Sequence, residues 1–227
     1  MANGRFITFE GSEGCGKSTQ VRRLAARLES LGVQFLLTRE PGGTPIGESI
    51  RELLQFAPEG QGMLPETELL LFEASRSQLA RQIIKPALTK GITVISDRFF
   101  DSTTVYQGVG RKLAAAAVAQ LNAFAVGDCV PQLTIVIDVN AETARLRMQK
   151  PRRADRMEQE PDEFYQAVRA AYRELAARES NRIVLVDGNR AAQEIEQDIW
   201  RIITGRFPEL TTNLPAHRSN PAATTGA

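Results

Sequence analysis

The sequence predicts an α/β fold: a five-stranded parallel sheet with helices on both faces. Two observations lead to this prediction. Five short apolar segments alternate with segments of helical periodicity, as expected when each strand is buried between helices. The first strand and the first helix are separated by Gly11–Ser18, a complete match to the phosphate-binding pattern G-x-x-x-x-G-K-[ST]. Ligands of such sheets bind beyond the carboxyl ends of the strands, so we expect a site there.

The composition argues against several other classes of protein. Apolar residues make up 42% and charged residues 24% of the 227 residues, which is typical of a globular domain. Lys and Arg number 28 and Asp and Glu number 27, so nucleic acid is not the expected partner. The two cysteines, Cys15 and Cys129, lie far apart, which argues against a disulfide framework. No membrane-length apolar run and no apolar signal-peptide core are present, so we expect a cytoplasmic location.

The first half of the chain alternates strand and helix. The apolar run Phe6–Phe9 predicts a strand that enters the glycine-rich loop, and apolar residues at helical spacing predict a helix over Val21–Leu31. Val33–Leu37 predicts a second strand, and a short helix is expected at Ile46–Leu54 after a glycine- and proline-bearing loop. Glu66–Lys90 has the periodicity of a long helix.

The middle of the chain repeats this alternation. Ile92–Ile95 predicts a short buried strand, and Ala114–Val126 predicts an alanine-rich helix. Leu133–Ile137 predicts the fourth strand, followed by a helix at Ala141–Gln149. The sequence between the third strand and Ala114–Val126 predicts no regular element.

The last part of the chain completes the sheet. Proline and two acids precede the predicted helix at Phe164–Leu175, as is typical of a helix start. Ile183–Val186 predicts the fifth strand and Ile195–Ile203 the last helix. Residues 211–227 are rich in Thr, Asn, Pro, Ser and Ala without periodicity, which predicts a disordered tail after a single domain over 1–210.

The glycine-rich loop predicts a nucleoside triphosphate site. Its backbone N–H groups would surround the phosphates, Lys17 would reach the β and γ phosphates, and Ser18 would bind Mg²⁺. Asp97, at the end of the third apolar strand, is placed to join the Mg²⁺ site, so the metal-binding candidates are Ser18 and Asp97. The phosphate-binding candidates are Gly11, Ser12, Glu13, Gly14, Cys15, Gly16, Lys17, Ser18 and Thr19.

A run of basic residues follows the fourth strand. Between residues 145 and 156 the cations are Arg145, Arg147, Lys150, Arg152, Arg153 and Arg156. One interpretation is a solvated helix end. The other is a mobile lid over about 145–158 whose arginines stabilise the charge on a transferred phosphoryl group. The second interpretation predicts a small-molecule kinase.

Four motifs in one order give the chain a family resemblance. They are Phe9–Thr19, Thr38–Thr44, Leu71–Arg76 and Asp97–Gly108. With these motifs the chain resembles the bacterial thymidylate kinases that have a basic lid, from about Arg5 to Arg206. The resemblance implies a P-loop nucleoside monophosphate kinase fold, transfer of the ATP γ-phosphoryl group to dTMP in dTTP biosynthesis, ATP and Mg²⁺ as cofactors, and a homodimer without nucleic-acid or membrane partners.

The resemblance also implies residue roles. Phe72 would stack on thymine and Arg76 would hydrogen-bond its carbonyl edge. Tyr106 would crowd the 2′ side of the sugar, and Glu13 would meet the 3′-hydroxyl. The full set of implied substrate-binding residues is Glu13, Arg39, Glu40, Arg51, Phe72, Arg76, Arg98, Ser102, Thr103, Tyr106 and Gln107.

The implied catalytic residues are cationic. They are Lys17, Arg98, Arg152, Arg153 and Arg156. One branch of the family carries an arginine inside the phosphate loop, where this chain has Gly14. Its transition-state cations are therefore expected to come from the lid.

Alternatives remain at this stage. By pattern alone, Phe72 and Tyr106 fit a hydrophobic core as well as a pocket wall. Another nucleotide or nucleoside kinase would share most of these motifs. A non-catalytic nucleotide-binding switch would share the phosphate loop, although the Asn-Lys-x-Asp run expected for a guanine-specific switch is absent from the sequence.

Overall fold

Five strands form one parallel sheet, which confirms the predicted fold class. The structure, a computed structural model, describes residues 4–148 and 155–212. The strands are β1 (Phe6–Glu10), β2 (Phe35–Arg39), β3 (Thr93–Asp97), β4 (Leu133–Asp138) and β5 (Ile183–Asp187). Their order in the sheet is β2-β3-β1-β4-β5, and all four pairings are parallel. Since β1 is central and fully buried, the glycine-rich loop begins in the middle of the carboxyl edge of the sheet.

Helices connect the strands within the described ranges. They are α1 (Lys17–Ser30), α2 (Pro45–Gln55), α3 (Pro65–Leu79), α4 (Lys85–Thr89), α5 (Phe100–Thr103), α6 (Ala115–Val126), α7 (Ala141–Met148), α8 (Asp162–Arg178), α9 (Ala192–Arg206) and α10 (Glu209–Thr212). A π-helical segment at Ala80–Ile84 joins α3 to α4, and another at Thr104–Gly110 continues α5. Short 3₁₀ turns occur at Pro58–Gly60 and Arg156–Gln159. The long helix predicted over Glu66–Lys90 is therefore one helical run with a π segment inside it.

Hydrophobic layers cover both faces of the sheet. On one face, Leu28 of α1 and Ile199 of α9 belong to the same core as Ile7 and Phe9 of β1. On the other face, α3, α4 and α6 pack on β1 and β3, while α8 packs on β4 and β5. Burial between two helical layers explains why the central strands are almost continuously apolar in sequence.

Two strands begin later than the apolar runs predict, for the same reason. The N–H of Val33 donates to Leu28 O (3.0 Å), and the N–H of Ile92 donates to Ala87 O (3.0 Å). These bonds close the ends of the preceding helices, as in helix C-terminal motifs that contain glycine. The first apolar residue of each run therefore completes a helix end, and strand pairing starts further along the chain.

The sequence missed the helix that follows β3. Its residues include threonines, a valine and glycines, which have low helix propensity. The segment is held instead by Glu10 at the end of β1, whose Oε1 accepts hydrogen bonds from the N–H of Phe99 (2.8 Å) and of Ser102 (3.3 Å). A carboxylate from a distant strand thus stabilises the N-terminal end of α5.

Two predicted regions lie partly outside the described residues. The predicted tail starts within α10, where Leu210 is buried, and residues 213–227 lie outside. Within the predicted lid, residues 149–154 lie outside, and these include Arg152 and Arg153.

Candidate active site

A cavity of about 560 Å³ lies at the carboxyl ends of β1, β2 and β3. Predicted site residues in its wall are Glu13, Gly14, Gly16, Lys17, Ser18, Thr19, Arg39, Glu40, Arg51, Phe72, Asp97, Arg98, Ser102, Thr103, Tyr106 and Gln107. Predicted residues that are described but do not line it are Gly11, Ser12, Cys15, Arg76 and Arg156. The structure therefore brings most of the triphosphate-binding candidates and most of the substrate-binding candidates into one space.

The phosphate loop curls through glycines in the left-handed region. The φ values of Gly11, Gly14 and Gly16 are 131°, 72° and 101°. A Cβ at position 14 would also lie 2.5 Å from Ala144 O of α7, so no larger residue fits there. The approach of α7 therefore leaves no room for an arginine at this loop position.

Lys17 closes onto the loop that precedes it. Its buried ammonium donates to Gly11 O and Ser12 O, each at 2.9 Å, and lies 3.5 Å from Cys15 Sγ. Cys15 itself is buried in the core beneath the loop. The cation is thus held at the mouth of the loop, where it can reach a bound phosphate.

Ser18 and Asp97 meet at the edge of the sheet. The Ser18 hydroxyl donates to Asp97 Oδ2 at 2.6 Å, joining the start of α1 to the end of β3. In residues 4–148 and 155–212 there is no group of three or more His, Cys, Asp or Glu side chains that could hold a metal. Two protein oxygens fit Mg²⁺ in a phosphate site, because that ion keeps waters and takes its other ligands from substrate phosphates.

Arg98 connects the phosphate loop to the helical segment that follows β3. Its backbone is left-handed, with φ 72°, which is uncommon for a side chain of this size. The guanidinium pairs with Glu13, donates to Gly11 O (3.2 Å) and Ser102 Oγ (3.0 Å), and lies 5.0 Å from the centre of the Tyr106 ring. Burial raises the pKa of Glu13, but Arg98 and Lys17 outweigh it and hold that pKa below its usual value. Glu13 is therefore ionised at neutral pH.

Arg76 lies behind the cavity wall. It is 1% exposed, and all five of its N–H groups are used within the protein. It donates twice to Glu40 Oε2 (2.6 and 2.9 Å) and once each to Glu73 Oε1 (2.8 Å), Asn122 Oδ1 (3.1 Å) and Thr103 Oγ1 (3.0 Å). Arg76 thus reaches the cavity through Glu40 and Thr103. For Arg76 to donate a hydrogen bond to a base, as predicted, one of its N–H groups must leave its present acceptor or donate to that acceptor and the base together.

Two carboxylates around Arg76 are incompletely paired. Glu40 Oε1 and Glu73 Oε2 are buried, and neither has a hydrogen-bond partner among the described residues. Burial raises the pKa of Glu40 to about 7, although Arg76 favours the charged form. The pKa of Glu73 is raised for the same reason. Burial thus opposes the charged form of both carboxylates, and Arg76 favours it.

Comparison with known proteins identifies the family. The family model for thymidylate kinase matches residues 9–199, most of the described chain. The chain belongs to the thymidylate kinase family. This confirms the resemblance read from the four sequence motifs, all of which lie within or at the edge of the matched range.

Individual thymidylate kinases are similar over nearly their whole length. The protein from Pseudomonas fluorescens is 48% identical over 196 residues, covering 86% of this chain and 93% of that protein. One from Pseudomonas putida is 45% identical over 203 residues, covering 89% and 96%. The crystal structure of thymidylate kinase from Ehrlichia chaffeensis superposes with a TM-score of 0.72 at 36% identity, covering 88% of this chain and 99% of that one.

Two arginines of the basic run, in a segment that the resemblance to thymidylate kinases predicts to be a lid, are placed differently. Arg147 lines the cavity and donates to Cys15 O (3.2 Å) and Gly188 O (2.8 Å). Arg156 does not line the cavity. Its guanidinium pairs with Glu68 (2.5 Å) and donates to Leu54 O (3.0 Å). Arg156 would have to leave these partners to reach a phosphate.

Sequence reasoning on this thymidylate kinase family member missed several wall residues. They are Pro41, Gln55, Arg147, Met148, Asp155 and Met157. Arg147 was visible as part of the basic run, but its spacing did not distinguish it from its neighbours. The sequence also did not predict that Glu10 holds Ser102, a residue of the cavity wall. Its Oε2 accepts from Ser102 Oγ (2.6 Å) and from the Tyr172 hydroxyl (2.8 Å), contacts across 92 and 162 residues that no local pattern reveals.

Proposed function

We propose that the chain transfers the γ-phosphoryl group of ATP to the 5′-phosphate of dTMP, forming dTDP for dTTP biosynthesis. The observation that carries this proposal is the single cavity that holds both the phosphate loop with Lys17 and the arginines of the acceptor side, Arg39, Arg51 and Arg98. Two polyanions react in line only when each has its own cations, and guanidinium groups bind phosphate oxygens bidentately. The family membership supports the same reaction.

The phosphate loop would bind ATP, the phosphoryl donor. ATP phosphates would lie on the N–H groups of residues 11–19, with Lys17 at the β and γ phosphates. Mg²⁺ would be held by Ser18 and Asp97, whose oxygens are adjacent at the sheet edge, 2.6 Å apart. Bound there, Mg²⁺ would neutralise charge on the phosphates.

The acceptor phosphate would bind opposite the donor. Arg51 and Arg98 would hold it, with Arg39 nearby. Arg51 donates to Pro41 O (3.0 Å), and Arg39 pairs with Glu48 (2.7 Å), so both are already oriented by the β2–α2 loop and α2. No general base is required, because a phosphate monoester is already an oxyanion near neutral pH.

The nucleoside would occupy the rest of the cavity. Phe72 would stack on the base, with Arg76 behind it. The other side chains proposed for the base pocket are Ser102, Thr103 and Gln107, whereas Glu40 would help to organise Mg²⁺ and the acceptor. Tyr106 would crowd the 2′ position and Glu13 would accept from the 3′-hydroxyl, as their 2.6 Å contact places them side by side.

The lid would supply the remaining cations. Arg152, Arg153 and Arg156 stay the candidates for stabilising the transferred phosphoryl group. In this structure Arg156 is held by Glu68, outside the cavity wall. Arg152 and Arg153 are therefore the stronger candidates.

Assembly and location also belong to the proposal. A homodimer is supported by large exposed apolar side chains on two helices that pack together, Leu70 on α3 (54% exposed) and Phe124 on α6 (75% exposed). Among the helices of residues 4–148 and 155–212, none has both the length and the apolar character needed to cross a membrane. The cytoplasmic location stays a prediction.

A panel of acceptors tests the function. Purified protein with ATP and Mg²⁺ is offered a set of deoxy- and ribonucleoside monophosphates, and we expect dTMP to give the highest kcat/KM. Lys17→Met, assayed in parallel, should abolish turnover and so exclude a contaminating kinase. Another monophosphate that is turned over about a hundredfold better would reassign the acceptor. Binding of ATP without turnover of any acceptor would favour a nucleotide-binding switch.

A further inference from the structure

Glu68 binds a residue of the cavity wall from outside the cavity. It lies on α3, is 1% exposed and does not line the cavity. Gln107 Nε2 donates to its Oε1 at 2.8 Å. Arg111 donates to both carboxylate oxygens at 3.1 Å, and Arg156 donates to Oε2 at 2.5 Å. The function proposed above gives no role to Glu68.

The charge of Glu68 determines which end of the Gln107 amide faces it. Burial raises the pKa of Glu68, but hydrogen bonds from Arg111 and Gln107 outweigh burial and hold the pKa below its usual value. An ionised carboxylate has no proton and only accepts hydrogen bonds. The NH₂ group of Gln107 must therefore face Glu68, because its carbonyl oxygen would meet another acceptor there.

The carbonyl oxygen of Gln107 is consequently directed away from Glu68. Gln107 lines the same cavity as Thr103 and Phe72. Within residues 4–148 and 155–212, the side chain of Gln107 makes the hydrogen bond to Glu68 and no donor approaches its Oε1. A fixed acceptor in the wall of a pocket is satisfied when a ligand supplies an N–H.

We propose that Glu68 is a positioning residue for base specificity. By holding the NH₂ group of Gln107, it presents the carbonyl oxygen to the base and selects a pyrimidine with a ring N–H. Thymine and uracil carry a proton on N3, whereas cytosine has a lone pair there. This inference rests on the proposed function, since it concerns how the dTMP pocket distinguishes bases.

A purely structural role for Glu68 makes a different prediction. Glu68 also holds Arg111 and Arg156, so loss of its charge disturbs the end of the lid. Such a disturbance lowers turnover of every acceptor by a similar factor. Loss of the Gln107 orientation instead lowers discrimination between bases, because a site with a correctly placed acceptor rejects a ligand that lacks the N–H.

The test is the ratio of kcat/KM for dTMP to that for dCMP in Glu68→Gln. A glutamine at position 68 can present either its oxygen or its NH₂ group, so both orientations of Gln107 become available. We expect the ratio to fall about tenfold or more. With Gln107 free to turn, the hydrogen bond from thymine N3–H is no longer assured, and cytosine no longer has to place its N3 lone pair against the Gln107 oxygen. The ratio of dTMP to dUMP should stay at the wild-type value, since both bases carry the N3 proton.

Two further variants keep the test decisive. Arg111→Gln removes a cation from the same carboxylate but leaves the Gln107 contact, and we expect it to keep the wild-type dTMP to dCMP ratio. Glu68→Asp retains the charge but is one methylene shorter. Because the shorter carboxylate no longer reaches the Gln107 NH₂ group, which now lies 2.8 Å from Glu68 Oε1, this variant should also lower the ratio. It replaces Glu68→Gln if that variant does not fold.

The outcomes separate this inference from the function on which it rests. An unchanged dTMP to dCMP ratio in a folded Glu68 variant overturns the inference while wild-type dTMP kinase activity still supports the function. An equal fall of the ratio in Arg111→Gln also overturns it, because general loosening would then explain the effect. A wild-type protein that prefers another acceptor overturns the proposed function itself.

Discussion

The hydroxyl of Tyr106 lies 2.6 Å from Glu13 Oε2 and donates a hydrogen bond to it. Glu13 belongs to the phosphate loop, and Tyr106 belongs to the helical segment that follows β3. Arg98 contacts both residues, since its guanidinium pairs with Glu13 and lies 3.3 Å from the Tyr106 hydroxyl. Direct side-chain contacts therefore join the phosphate loop to the segment after β3. Under the proposed function, a change at either residue should affect both the donor and the acceptor.

Tyr106→Phe separates the two roles proposed for this tyrosine. The variant keeps the ring that crowds the 2′ position but leaves Glu13 Oε2 without its donor. Because a hydrogen bond to a buried charge is worth about 1.5–3 kcal/mol, we expect kcat/KM for dTMP to fall at least about tenfold. The preference for dTMP over its ribonucleotide counterpart should persist. Steady-state kinetics with both acceptors measures the two effects.

Other tyrosine variants provide the comparison. Tyr172→Phe removes a second buried hydroxyl, which contacts Glu10 instead of Glu13. It should lower stability and leave the deoxyribose preference unchanged. Tyr106→Ala should lose that preference. If Tyr106→Phe alone abolishes it, the hydroxyl and not the ring discriminates between the sugars.

Asp97→Asn tests the Mg²⁺ site. Asparagine keeps an oxygen near Ser18 but removes the negative charge that attracts the ion. We expect the Mg²⁺ concentration for half-maximal activity to rise about tenfold. Asp128→Asn is the matched control, since Asp128 pairs with Lys85 on the surface. An unchanged Mg²⁺ midpoint in Asp97→Asn would remove Asp97 from the metal site.

Glu40 should make stability depend on pH. Burial raises its folded-state pKa to about 7, from an ordinary value of 4.5. Between these values the folded chain binds more protons than the unfolded chain, so the free energy of unfolding should decrease as the pH rises from about 4.5 to about 7. In Glu40→Gln this decrease should be smaller, by on the order of 1–3 kcal/mol. Urea unfolding across this pH range measures it.

A matched carboxylate distinguishes Glu40 from the other acids. Glu48 lies on α2 close to the same cavity, but its side chain is 45% exposed. Glu48→Gln is therefore the matched control for the removal of a carboxylate near the cavity. Equal slopes for Glu40→Gln and the wild type would show that Glu40 titrates near its ordinary pKa.

Local sequence patterns predicted the sheet and the phosphate loop because each depends on residues that are close together in the chain. Buried strands require apolar runs, and the curled loop requires glycines at fixed spacing. The starts of β2 and β3 were predicted too early, since Val33 and Ile92 are apolar yet their N–H groups complete helix ends. Apolar character alone does not show which backbone partner a residue takes.

Contacts between distant segments account for what the sequence could not show. The spacing of Phe72 and Arg76 predicts one helix face, and both residues do lie on α3. That spacing could not reveal that Arg76 donates hydrogen bonds to Glu40, which is 36 residues away, and to Asn122, which is 46 residues away. The helix after β3 was missed for the same reason, because its N-terminal support is Glu10, 89 residues from Phe99. The position of a polar side chain thus depends on competition among partners that only the fold brings together.

Arg153→Ala tests the lid. Its cation is proposed to act on the transferred phosphoryl group, so kcat should fall about a hundredfold or more while the Kd for ATP changes little. Arg145→Ala is the control, because it removes the same charge from the same basic run at a side chain that is 66% exposed and paired with Asp162. It should keep kcat near the wild-type value. Equal losses in both variants would indicate a general electrostatic effect of the run, and an unchanged kcat in Arg153→Ala would exclude that arginine from the transition state.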